Sequence, residues 1–231
     1  MIVRWPGHAK VTTVRSELIS TVDLLPTILV AAAIDIADEL PGRDLQPLLR
    51  DEASVEWRQY SYALTTGSFP RACFVQHSIR DQRYKLISSP RPGTENLDAG
   101  TYLDEQHQHF FVSGATSVEQ AAAPKHVRQA FARWSRPPRY ELYDLQTDPN
   151  EWHNLVGSSE HGTTLNRLKD ALRDWQMRTR DPFIETEHVD AYVTEQLSNL
   201  DLGYRKDRTF RWSYQDDFLA WRNGQLAAEG K

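Results

Sequence analysis

Cysteine is almost missing from this chain of 231 residues: Cys73 stands alone. No disulfide can therefore close within it, and a bridge-stapled secreted scaffold is excluded. Long apolar runs are missing too. The longest, residues 24–34, is interrupted by Pro26 and Thr27 and is too short to cross a bilayer. No charged-then-apolar leader opens the sequence, so nothing marks it for secretion and its compartment stays unassigned. Nor is there an excess of positive charge. The 27 Lys and Arg face 32 Asp and Glu, a net charge of −5, which predicts no general attraction to nucleic acid or to an anionic membrane. G-x-S-x-G elbows, phosphate loops and zinc-finger spacings are also lacking, which removes the support for triad hydrolase, nucleotide-binding and DNA-binding readings.

What is present is an ordinary globular composition, 39% hydrophobic and 26% charged, with seven Trp, nine Tyr and eight Phe. The pattern predicts a strand over residues 2–5, then a Pro6-Gly7 turn. Ser20 or Thr21 caps an expected helix over 22–33. Asp23 lies in its positive first turn, Pro26 is tolerated near that end, and Leu24, Leu25, Ile28 and Leu29 form the expected buried face. Residues 40–49 read as a loop and a short helix. From about residue 56 the period changes to two, with strand-like runs at 60–66, 72–79, 83–89 and 139–145. The second and third are joined closely enough to make a hairpin, and the four suggest an antiparallel sheet.

Residues 90–138 form a long connection with one helix expected near 127–134. Thr163 or Thr164 is expected to cap an amphipathic helix that carries Leu165, Leu168, Leu172 and Trp175 on one stripe, suited to covering the sheet. Val189, Tyr192, Val193, Leu197 and Leu200 outline another helix. The segment 204–221 is aromatic and basic, and suits either docking onto the rest of the fold or stacking on a sugar.

The most tightly specified stretch is Glu141-Leu-Tyr-Asp-Leu-Gln-Thr-Asp-Pro-Asn-Glu-Trp-His-Asn-Leu155. Asp148-Pro149 presets a turn, Asn154 tolerates a left-handed backbone, and Leu155 returns to the core. These roles are structural. This stretch resembles the C-terminal signature of the sulfatase family, and four other segments resemble that family in the family's own order. They are Ile2-Val-Arg-Trp-Pro-Gly-His8, Ser20-Thr-Val-Asp-Leu-Leu-Pro-Thr-Ile-Leu29, Leu40-Pro-Gly-Arg-Asp-Leu-Gln-Pro-Leu-Leu49 and Ser78-Ile-Arg-Asp-Gln-Arg-Tyr-Lys-Leu-Ile87. The segment 164–184, ending in Asp181-Pro-Phe183, resembles heparan N-sulfatases in particular.

The resemblance implies an incomplete α/β, alkaline-phosphatase-like fold. Residues 1–50 would be the last strand and helix of the large catalytic domain. Residues 51–184 would be the smaller C-terminal domain, a four-stranded antiparallel sheet packed on a helix, and residues 185–231 an appended tail. It also implies hydrolysis of sulfate esters or sulfamates on sulfated saccharides, through a formylglycine made from a C-x-(P/A)-S-R cysteine and a calcium ion held by Asp and Asn. Cys73 is followed by Phe74 and Val75, so it does not fit that motif and is expected to be a packed strand residue. The nucleophile, the metal ligands and the sulfate-binding lysine are expected in a preceding catalytic half, which would be this chain's partner, so the chain alone is expected to be inactive. An exposed apolar surface is expected over residues 2–30, where neighbouring strands would pack. A non-enzymatic fragment that binds sugars or a protein is the alternative.

For substrate contact the sequence offers His8, after the Pro-Gly turn, and His77, in the hairpin where heparan N-sulfatases often carry Arg. A histidine there gives up bidentate anion recognition. A surface turn residue and a structural residue are the competing readings for these two. His107 and His109 read as either a metal pair or part of a solvated loop, and Arg43 as either a structural ion-pair residue or a sulfate ligand.

Overall fold

The computed structural model describes residues 1–35, 40–52, 55–67, 70, 73–96 and 115–228. They divide into two compact units, Met1–Ser61 with Arg80–Gln82, and Tyr62–Ile79 with Arg83–Lys231.

The first unit is organised around one buried carboxylate. A 3-10 turn at Thr21–Asp23 leads into helix α1, Leu24–Ala31. Ser20 and Asp23 form a reciprocal capping box: the Asp23 side chain accepts the Ser20 N–H at 2.7 Å. Asp23 is 0% exposed. It also accepts the Arg43 N–H at 2.8 Å and pairs with the Arg58 guanidinium. Thr27 extends this network by donating to the Asp23 carbonyl at 2.6 Å and accepting the Leu45 N–H at 2.9 Å. Gly42 is required here, because a Cβ on it would lie 2.0 Å from the Val22 carbonyl oxygen. Leu18, Leu45 and Leu48, the last on the short helix α2 (Gln46–Leu49), supply the unit's buried apolar residues.

Two expectations fail in this unit. Residues 2–5 form no strand: Ile2 is 99% exposed, and a lone extended segment has nothing to satisfy its backbone in a ladder. The face of α1 is also inverted relative to the expectation. Asp23, Pro26 and Thr27 are buried, whereas Leu24, Leu25 and Ile28 are exposed. The polar network around Asp23 fixes the helix by its other side.

The second unit is built on a sheet of four strands, β1 (Ser61–Thr65), β2 (Gln76–Arg80), β3 (Tyr84–Ser88) and β4 (Tyr140–Asp144), in the spatial order β1-β2-β3-β4. The three-residue link from β2 to β3 permits only an antiparallel pair. β3 and β4 are antiparallel in the register Tyr84↔Asp144 through Ser88↔Tyr140. The strand expected over 72–79 begins later, at Gln76. Cys73 therefore sits in the approach to β2, packed beside Val75, Val189 and Val193.

After β3 come α3 (Ser117–Ala122), α4 (Lys125–Ser135), β4, and then α5 (Gly162–Thr179). Helix α5 begins just before the two threonines expected to cap it. It follows a 3-10 turn at Ser159–His161 and packs on β3 through Leu168 and Leu172. Trp175 lies on the same helix and stacks on Tyr62, the centroids 4.9 Å apart and the rings 4° from parallel.

The signature stretch repairs the edge of β4. Asn154 Oδ1 accepts the N–H groups of Leu142 and Val156 at 3.0 and 3.1 Å, and its Nδ2 donates to the Tyr140 carbonyl at 3.2 Å. The side chain thus stands in for a neighbouring strand. The left-handed residue of the turn is Glu151 (φ 59°), whereas Asn154 was expected there. Lys85 holds Glu151 by a 2.8 Å ion pair, and Asp148 accepts the His153 N–H at 2.7 Å.

Helices α6 (Thr186–Leu197) and α7 (Ser213–Ala228) close the unit. The Glu195 carboxylate accepts the N–H groups of Ser213 and Tyr214, at 2.7 and 2.9 Å, where α7 begins. Tyr214 and Phe218 pack on the cluster of Cys73, Phe183, Val189 and Tyr192. The aromatic segment therefore docks onto its own unit.

Candidate functional site

His77 lies on β2 and is 2% exposed. Its Nε2 is 2.6 Å from Asp181 Oδ2, which also accepts from Gln176 Nε2 at 3.0 Å. The other Asp181 oxygen accepts the Phe183 N–H at 3.0 Å and so caps the 3-10 turn Pro182–Ile184. Burial raises the Asp181 carboxyl, but the hydrogen bond and charge of His77, with Gln176 and the Phe183 N–H, outweigh it and the net shift is downward. The histidine thus ties the sheet to the end of α5, where Arg180 turns the chain through a left-handed conformation (φ 51°, ψ 51°).

His77 and Gln176 form the floor of a groove of about 160 Å³ on this unit. Arg139 and Tyr140 at the start of β4, and Lys169 and Arg173 on α5, make its walls. Lys169 Nζ sits 4.8 Å from the centre of the Tyr140 ring, and the Arg139 guanidinium carbon sits 5.5 Å from that same centre. Arg139 Nη1 also donates to the carbonyls of Ser89 and Pro90 at 3.3 and 2.9 Å.

The sequence singled out only His77 among these groups. Lys169, Arg173 and Gln176 fall at i, i+4 and i+7, so helical spacing already places them on one stripe. The meeting of that stripe with Arg139 is a tertiary fact. Asp181 was visible only as part of a family-like segment, and its hydrogen bond to a residue 104 positions away was not.

His8 belongs to the other unit. It is exposed in the Trp5–Ala9 turn, where Gly7 takes φ 77°, and its ring stacks on Trp5 at 4.6 Å. Arg43 engages Asp23 through its backbone N–H, while its guanidinium lies 5.8 Å from the Trp57 ring centre. The ion pair with Asp23 is made by Arg58. His107 and His109 lie outside the described residues.

The described residues do not fit a formylglycine or a calcium ion. Cys73 is buried among apolar groups, and burial pushes its thiol up to about 11 against the smaller opposing pull of Tyr192 and Arg91. Asp23, Asp144 and Asp181 are each committed to a basic side chain, Arg58, Arg83 and His77. Glu141 is held by the Tyr143 hydroxyl, and desolvation keeps its carboxyl raised despite that bond and the nearby Arg133. Among the described residues no three His, Cys, Asp or Glu gather to hold a metal, and no helix is long and apolar enough to cross a membrane.

The second unit combines an antiparallel sheet with a helix packed on it. Comparison with known proteins identifies the family. Residues 1–108 match the family model described as N-sulphoglucosamine sulphohydrolase, C-terminal. An ulvan-active sulfatase of Formosa agariphila is 27% identical over 185 residues, 78% of this chain and 33% of that protein. Human N-sulphoglucosamine sulphohydrolase is 27% identical over 215 residues, 86% of this chain and 40% of that protein. Among solved structures, the phosphonate monoester hydrolase of Silicibacter pomeroyi aligns with 76% of this chain and 28% of its own, at 22% identity and a TM-score of 0.48. The chain belongs to the sulfatase family, corresponding to that family's C-terminal portion. It spans about a third of the length of the curated relatives it matches.

Proposed function

We propose that this chain is the supporting portion of a sulfatase that hydrolyses sulfate esters or sulfamates of saccharides. The nucleophile and the calcium site are assigned to a catalytic portion outside it. The observation that carries this reading is the inverted face of α1. Leu24, Leu25 and Ile28, on this one short helix, are exposed at 41, 51 and 62%. A monomer gains nothing from presenting such residues together, so the face suits burial against a further part of the enzyme.

In this reading residues 1–50 complete the catalytic domain, residues 51–184 form the wall of the substrate cleft, and residues 185–231 brace that wall. His8, exposed and stacked on Trp5, is assigned to the saccharide side. His77 holds the floor of the groove through Asp181. Both named relatives are sulfatases, one acting on ulvan and one on N-sulphoglucosamine by its name, which supports a saccharide as the carrier of the sulfate.

The test is turnover. The purified chain, supplied with calcium, is expected to leave an aryl sulfate and N-sulfoglucosamine intact. Hydrolysis that persists after Cys73→Ala would place the chemistry within this chain and contradict the division of labour.

A further inference from the structure

The groove above His77 gathers positive charge in an unusual way. Arg139, Lys169 and Arg173 all line it, and among the described residues Asp170 is the one carboxylate on its walls. None of the three cations forms an ion pair among the described residues. Elsewhere in the same unit basic side chains are neutralised at close range: Arg83 by Asp144 at 2.7 Å, Lys85 by Glu151 at 2.8 Å, and Arg91 by Asp190 at 3.4 Å. Two of the groove's cations crowd one ring, Tyr140, from 4.8 and 5.5 Å. Three cations lining one groove with a single carboxylate leave an excess of positive charge, which a shared anion relieves.

The geometry suits a tetrahedral oxyanion. Arg139 is oriented by its bonds to the Ser89 and Pro90 carbonyls, which fixes one guanidinium edge and leaves the other free. Lys169 and Arg173 are one helical turn apart, so both reach the same side of the groove. The floor beneath them is polar, and the Asp181 oxygens there are engaged by His77, Gln176 and the Phe183 N–H.

We propose that this groove binds the sulfate group of a saccharide chain, held between Arg139, Lys169 and Arg173. The anion site stands on the geometry alone, and the saccharide as its carrier rests on the function proposed above.

The experiment is equilibrium binding to the full chain, by calorimetry or by backbone amide shifts, with three probes: N-sulfoglucosamine, glucosamine, and sodium sulfate. N-Sulfoglucosamine is expected to bind at least about tenfold more tightly than glucosamine, to weaken as salt screens the charges, and to outdo inorganic sulfate. The double variant Lys169→Ala/Arg173→Ala is expected to lose about tenfold in affinity while its thermal midpoint stays within a few degrees. Arg178→Ala, on the same helix but away from the groove, is expected to bind as the parent does. Absence of binding, or equal loss in Arg178→Ala and the double variant, would overturn the site. Equal affinity for inorganic sulfate and the sulfated sugar would overturn the saccharide carrier. None of these readouts depends on turnover, so failure of the proposed division of catalysis would appear separately.

Discussion

The two units differ in what their helices bury. In the second, α5 buries Leu168 and Leu172 against the sheet, as the hydrophobic effect directs, and the buried Asp181 is paired with His77. In the first, the helix α1 buries Asp23 and Thr27 and turns its leucines outward. In α1 a buried polar hub, not the apolar stripe, decides which side of the helix faces inward.

Breaking the hub is the harshest way to test that contrast. Asp23→Ala leaves Arg58 without its buried partner and strips two N–H groups of their acceptor, so a loss of about 3–5 kcal/mol is expected. That loss should appear in urea unfolding followed by tryptophan fluorescence and circular dichroism. A loss below about 1 kcal/mol would mean that the network is decorative. Leu168→Ala opens a cavity in the second unit and is expected to cost about 2–5 kcal/mol by the same measurement.

The His77–Asp181 pair sharpens the comparison through pH. The folded Asp181 carboxyl is held below its unfolded value, near 3.9 for a free aspartate. Its contribution is therefore complete above that value and is lost as pH falls through the folded one. Unfolding measured from pH 6 down to pH 2 should show Asp181→Asn less stable than the parent at pH 6, with the two curves converging in acid. Parallel curves would remove Asp181 from the account. The smallest effect is expected at Leu25→Ala, within about 0.5 kcal/mol in this chain, because the side chain already faces solvent.

Much of the second unit was legible in the sequence. All four strands, the hairpin, and the Leu168 and Leu172 stripe of α5 follow from period and turn chemistry, because each element there packs on partners within the chain. The strand expected over residues 2–5 and the buried face expected for α1 failed for one shared reason. In the proposed reading, their apolar pattern describes contacts with the catalytic portion. The turn's left-handed position was misplaced from Asn154 to Glu151 because the asparagine side chain is engaged with the β4 backbone. The groove escaped because Arg139 and Lys169 are thirty positions apart in sequence and meet only across one tyrosine ring.

The central claim is that α1 offers a docking face to the rest of a sulfatase. Its most direct test is the fluorescence of a hydrophobic dye with the chain and with Leu25→Ser/Ile28→Ser, alongside sedimentation. The account predicts bright dye or self-association in the parent and a clear reduction in the double variant, with the thermal midpoint unchanged. A monodisperse parent that leaves the dye dark would contradict it.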